Sequence, residues 1–132
     1  MSEMKFFMAM LPPTTTAQEK RVAVVNGKPI VYDSEAIKIA NNKLIGHLSR
    51  HVPEQPMKGA IQLVTKWLFK SSQKHPNGTY RVTRPDTDNL QKMLKDCMTK
   101  CGFWVDDAQV ASEVIEKFWA DVPGIYIEIR NI

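Results

Sequence analysis

The chain has two cysteines, no apolar run near the roughly 20 residues of a membrane span, and no acid between Glu54 and Asp86. Each shortage excludes something. Cys97 and Cys101 lie four apart in a predicted helix, which fits packing in an apolar stripe better than a disulfide framework or a zinc site. Without a spanning segment, and with no clear small-residue cleavage pattern after Met1-Ser2-Glu3-Met4-Lys5, a cytoplasmic protein with no membrane partner is expected. The acid-free interval carries Lys58, Lys66, Lys70, Lys74, Arg81 and Arg84, six charges against a net +4, so the remainder sums to minus two. The positive field is therefore local. It suits a polyanionic partner, although a solvated strand and loop would read the same way.

At 132 residues the chain fits one domain, 1–132, in which recognition and chemistry share a scaffold. Phe6 to Leu11 reads as a first strand stopped by Pro12-Pro13, followed by a polar loop from Thr14 to Arg21. Val22–Val25 and Ile30–Tyr32 flank Asn26-Gly27 as a tight hairpin. Ser34 is placed to cap a helix to about Leu48, with Ile37, Ala40, Asn41, Leu44 and Leu48 roughly on one face. His47 and His51 near its end lack a convincing third ligand for a metal.

From Ala60 to Lys70, Ile61, Leu63, Thr65, Trp67 and Phe69 share one parity while Gln62, Lys66 and Lys70 take the other, which predicts a strand with one core face. Ser71 to Thr79 is a turn region. Asp88 then reads as a helix cap with Gln91 at the reciprocal position of a capping box. Leu90, Met93, Leu94, Cys97 and Cys101 form the helix's apolar stripe, and Gly102 suits its exit. Val114–Trp119 and Ile125–Ile132 are the expected last strands.

The chemistry concentrates in Arg84-Pro-Asp-Thr-Asp-Asn-Leu-Gln-Lys92 and in Asp106-Asp107. Asp86 and Asp88 are oxygen donors two residues apart, suited to a hard divalent ion such as Mg2+ or Mn2+. Asp107 is a further ligand if the helix exit returns toward them, and Asp106 either supports the set or caps a turn. Lys92, four residues after Asp88, lies on the same side of the helix start and can neutralise phosphate. Asn89 can hold a carboxylate or the helix entrance. The plainer alternative makes Asp86 a turn acid, Asp88 a cap and Asp88–Lys92 a surface ion pair.

Arg84 to Lys92, the later Lys100-Cys-Gly-Phe-Trp-Val-Asp-Asp-Ala-Gln-Val110, and the spacing between them closely resemble RusA-type Holliday junction resolvases. A looser likeness covers nearly the whole chain. The resemblance implies a compact mixed α/β (α+β) fold, with a β-sheet packed against two principal helices, in a homodimer commonly encoded by phages or prophages. It implies Mg2+-dependent cleavage of four-way DNA junctions in recombination and repair, with Asp86, Asp88 and Asp107 as metal-binding acids and Lys92 as the catalytic lysine. Asn89 and Asp106 match nearby motif positions. Lys66, Lys70, Lys74, Arg81 and Arg84 are the expected phosphate contacts. Where the family often has an Asn-rich or basic run, this chain has Thr14-Thr15-Thr16, and its segment before Asp86 is poorer in arginine. A broader branched-DNA nuclease, a noncatalytic DNA-binding protein and a structural phage protein are the competing readings.

Overall fold

The computed structural model describes residues 2–15, 21–32 and 34–132, so positions 16–20 of the expected polar loop lie outside the described residues. Six strands and two helices follow in the order β1 (Glu3–Met8), β2 (Arg21–Val25), β3 (Lys28–Tyr32), α1 (Glu35–Leu48), β4 (Ile61–Lys70), α2 (Thr87–Cys101), β5 (Val110–Ala120) and β6 (Gly124–Asn131), with a 3-10 turn at Asp107–Gln109. The main sheet has the order β1-β6-β4-β5, and β2 and β3 form a separate hairpin. Among the described residues no helix is long and apolar enough to cross a membrane.

The two-residue turn of the hairpin pairs Val25 with Lys28, and Asn26 and Gly27 take the positive φ values, 51° and 76°, that such a turn requires. Ser34 caps α1 as its sequence position suggests, accepting the Ile37 N–H at 3.2 Å. The first strand differs from expectation. It covers Glu3–Met8 rather than Phe6–Leu11, because its antiparallel register with β6 runs from Glu3↔Arg130 to Met8↔Ile125 and ends where β6 begins. β5 is longer than Val114–Trp119, since its parallel pairing with β4 extends from Ile61↔Val110 to Lys70↔Ala120.

One face of the sheet is dry. Ile61, Leu63, Trp67 and Phe69 from β4 and Ile125, Ile127 and Ile129 from β6 bury against Leu44 and Leu48 of α1 and Leu90, Met93, Leu94 and Met98 of α2. Each fully buried aliphatic side chain contributes about 1.5–3 kcal/mol of transfer free energy, so this layer fixes the height of both helices above the sheet. Cys97 belongs to the same layer, and burial pushes its thiol up to about 11; both cysteines are free, as the helical spacing suggests. His51 stacks on Phe6 at 4.3 Å between ring centres.

β4, α2 and β5 form a strand–helix–strand unit with parallel strands, which decides where the chemistry can be. The helix between two parallel neighbours must run opposite to both. Its start therefore lies at the carboxyl ends of β4 and β5, and its end at their amino ends. Contacts trace this course: Lys117 near the end of β5 reaches Pro85, Lys95 pairs with Glu113 at 2.5 Å, and Met57 before β4 bridges to Trp104 after α2.

Candidate functional site at the start of α2

The segment leading into α2 is laid along the free edge of β5. Gly78 N–H donates to Trp119 O at 2.8 Å, Trp119 N–H to Thr79 O at 2.8 Å, and Arg81 N–H to Lys117 O at 3.0 Å. Beyond that short ladder the backbone is held by side chains. The Lys117 ammonium donates to Thr83 O and Pro85 O, each at 2.7 Å. Burial lowers the pKa of Lys117, the nearby charge of Arg81 lowers it further, and Asp86 opposes both. The Arg81 guanidinium lies 4.3 Å from the Phe69 ring centre and 4.5 Å from that of Trp119, and it donates to Arg84 O. Burial lowers its pKa as well, and its Nε is buried without a hydrogen-bond partner.

Asp86, not Asp88, is the N-cap of α2, with φ −74° and ψ 147° and no capping hydrogen bond from its side chain. Pro85 keeps Arg84 before it extended, and the two tethers from Lys117 hold the backbone at Thr83 and Pro85, so the helix starts directly after this segment, two residues before the sequence suggested. Asp88 falls in the first helical turn, where the partial positive charge of the helix amino end favours a carboxylate. Asp86, Asp88 and Lys92 are all exposed on this turn and the next, and Asn89 between them is half-buried.

Gln91 does not complete a capping box. It points into the core at 1% exposure, where its Oε1 accepts from Thr65 Oγ1 at 2.8 Å and Thr65 Oγ1 in turn accepts from Trp67 Nε1 at 3.2 Å. Its Nε2 is left unpaired. A buried amide of this kind pins the rotation of α2, because turning the helix would break the one bond that offsets its desolvation.

Asp106 and Asp107 are at the other end of α2. With 15 residues in the helix, that is about 20 Å along the axis from Asp86. The helix exit does return to the sheet through Phe103–Val105, but it returns to the amino end of β5, as the parallel pairing with β4 requires. Asp106 caps the 3-10 turn, accepting from Ala108 N–H at 2.9 Å, and Gln109 closes the box by accepting the Val105 and Asp106 N–H groups. Gln109 also donates to Met57 O at 2.9 Å and Gly59 O at 3.1 Å, fastening the turn to the start of β4. Asp107 is half-buried at a shallow cavity of about 310 Å3, shared with Asp96, Thr99 and Lys100. Among the described residues, no three His, Cys, Asp or Glu side chains are arranged to hold a metal ion. The Asp86–Asp88 pair alone fits a hard divalent ion, which takes one or two carboxylates and completes its shell with water and phosphate.

The basic residues divide three ways. Lys70, Lys74 and Arg84 are exposed at the same end of the sheet as the acid pair, with Lys70 also donating to Asp121 O at 2.7 Å. Lys66 is half-buried on the face of the sheet away from the helices, 6.0 Å from the Tyr126 ring centre. Arg81, read from sequence as a phosphate contact, is engaged inside the protein by two aromatic rings and a carbonyl. Lys117 lies outside the motif, yet the sequence carries a signal for it. It opposes Trp67 in the register, between Ile115 and Trp119 on the apolar parity of β5, where a lysine needs internal acceptors.

Comparison with known proteins gives one family. The family model described as Endodeoxyribonuclease RusA matches residues 11–130. The chain is 30% identical over 132 residues, 98% of each chain, to the crossover junction endodeoxyribonuclease rusA of Lactococcus phage r1t. It is 27% identical over 123 residues, 85% of this chain and 86% of the other, to the uncharacterized protein YqaN of Bacillus subtilis. A shorter match, 56% identical over 34 residues, covers 26% of this chain and 28% of the crossover junction endodeoxyribonuclease RusA of Escherichia coli K12.

Proposed function

This chain belongs to the RusA family of endodeoxyribonucleases, and from that membership we propose that it cuts four-way DNA junctions in the cytoplasm, as a Mg2+-dependent homodimer acting by paired phosphodiester hydrolysis. The observation that carries the reading is the exposed Asp86–Asp88 pair at the start of α2, with Lys92 one turn on and Lys70, Lys74 and Arg84 at the same end of the sheet. Mg2+, or Mn2+ in its place, would be held by Asp86 and Asp88 and would supply water activation and phosphate polarisation when bound. Lys92 offers its ammonium to the phosphate that gains charge during cleavage. Lys70, Lys74 and Arg84 anchor the flanking backbone, and Asn89 steadies the helix entrance. Lys117 and Gln91 keep the acids in place from behind.

Asp107 enters this reading from a second copy. It is separated from its own Asp86 by the length of α2, so a site using all three acids takes Asp107 from the partner subunit. Two such sites in a two-fold dimer would cut two strands in one encounter. Mixing inactive variants tests this directly. A dimer formed from Asp86→Asn and Asp107→Asn subunits has one intact site and one doubly altered site if the acids combine across the interface, so it nicks a four-way junction on one strand. If each site draws its acids from one subunit, every site in the mixed dimer is damaged and no nicking appears. Cleavage of linear duplex as fast as the junction by the wild-type protein would reduce the proposal to a broader nuclease.

A further inference from the structure

Val82 is the most exposed large apolar side chain among the described residues, at 89%, and it stands four residues before Asp86. A lone exposed valine on a loose loop would be unremarkable in physical terms. This one is on a loop held from both sides. Arg81 N–H is bonded to Lys117 O, Lys117 Nζ is bonded to Thr83 O and Pro85 O, and the Arg81 side chain is clamped by Phe69 and Trp119 while donating to Arg84 O. Two residues earlier Tyr80 is 62% exposed, with its ring stacked on Phe118 at 4.6 Å and its hydroxyl donating to Glu116 at 3.0 Å. The polar end of Tyr80 is thus occupied within the protein, and the outer part of the ring is open for stacking.

We propose that Val82 is an apolar wedge that enters the base step at the branch point of bound DNA, with Tyr80 offering a stacking surface beside it. Charge selects the partner. Arg84 and Asp86 follow the valine by two and four residues and are exposed like it, and covering this segment with a protein surface would strip water from both. A base step is bordered by phosphates, so the same insertion brings Arg84 to an anion while only the valine enters the stack. Unstacking a step costs a few kcal/mol, and less at a branch than within a duplex, so a rigid wedge favours branched over linear DNA. A rigid mount matters because a wedge on a mobile loop would lose ordering entropy on insertion.

The inference rests on the junction-cutting reading, and the test separates the two. Full-length protein carrying Asp86→Asn is titrated, with Mg2+, onto a four-way junction bearing 2-aminopurine at the branch point. The expected result is a several-fold fluorescence rise with Val82 or Val82→Ile, and its loss with Val82→Ser while the junction remains bound. A rise undiminished by Val82→Ser overturns the wedge. So does a Val82→Ser protein whose sedimentation shifts from dimer to monomer, since that places the valine against a second copy. Should Val82→Ser fail to fold, the Thr variant, nearly isosteric and polar, is read in the same way. A wild-type protein that cuts junctions but leaves 2-aminopurine quenched sinks the wedge alone, whereas one that neither binds nor cuts them sinks both.

Discussion

At the amino end of α2, Asp86 and Asp88 face solvent with their side chains unused by the local backbone, and the carbonyls just before them are held by Lys117 and Arg81. At the carboxyl end, Asp106 gives its carboxylate to Ala108 N–H, and Gln109 ties the turn to Met57 and Gly59. The two ends separate two uses of an acid. A carboxylate that satisfies nearby N–H groups is building a turn. One that is held in place through its backbone, with its oxygens left open, is available to a ligand. Asp107 falls between these cases, half-buried beside Asp96 and Lys100, and it becomes part of the chemistry only if a second subunit brings the amino end of another α2 to it.

The largest effect should come from Asp86→Asn. With no capping bond from its side chain, the substitution leaves α2 intact, yet it removes one of two adjacent carboxylates suited to a hard cation. Junction cleavage should fall on the order of a thousandfold while gel-shift affinity and melting temperature stay near wild type. Undiminished turnover would end the distinction between the two helix ends. Lys92→Ala should reduce kcat on the order of a hundredfold and change junction Kd little, because its charge is needed most where the phosphate gains charge. Equal losses in both would make Lys92 an anchor like Arg84.

Lys117→Met tests the support rather than the acids. It removes the donor to two carbonyls, of which Thr83 O is at an exposed residue and can turn to water while Pro85 O is part-buried. The stability cost should therefore be about 1 kcal/mol, read from a denaturant midpoint. Cleavage should fall roughly tenfold, with a higher Mg2+ concentration at half-maximal rate, as expected when a group that orients a ligand is lost. Lys117→Arg should recover part of the activity, and a loss of stability with no change in Mg2+ dependence would show the clamp to be structural only.

How far this could be read from sequence follows the range of the interaction that decides each feature. α1 with its Ser34 cap, the hairpin around Asn26-Gly27 and the two faces of β4 are set by neighbours within a few residues, and periodicity exposes them. The motif from Arg84 to Lys92 places Asp86, Asp88 and Lys92 together for the same reason. Asp107 was different. Whether it returns to the acid pair depends on β5 pairing parallel to β4, fifty residues away in sequence at Gln62↔Ser112, which no local pattern states. Gln91 carries the same lesson. Its position after an aspartate suggests a cap, but the hydroxyl that uses it is Thr65 on another element. Arg81 looks like a phosphate contact until Phe69 and Trp119 come together around it.

Asp106→Ala should have the smallest effect, and it is the sharpest probe of the carboxyl end. The side chain accepts one N–H and stands in a capping box, so its loss should cost about 1 kcal/mol and lower the melting temperature by about 3–5 °C. Gln109 still links the turn to Met57 and Gly59, which keeps Asp107 near its present position and limits the damage to cleavage. Stability and activity should thus separate here in the opposite sense from Asp86→Asn. A cleavage loss from Asp106→Ala as deep as that from Asp86→Asn, with the melting temperature unchanged, would move Asp106 from the turn into the chemistry.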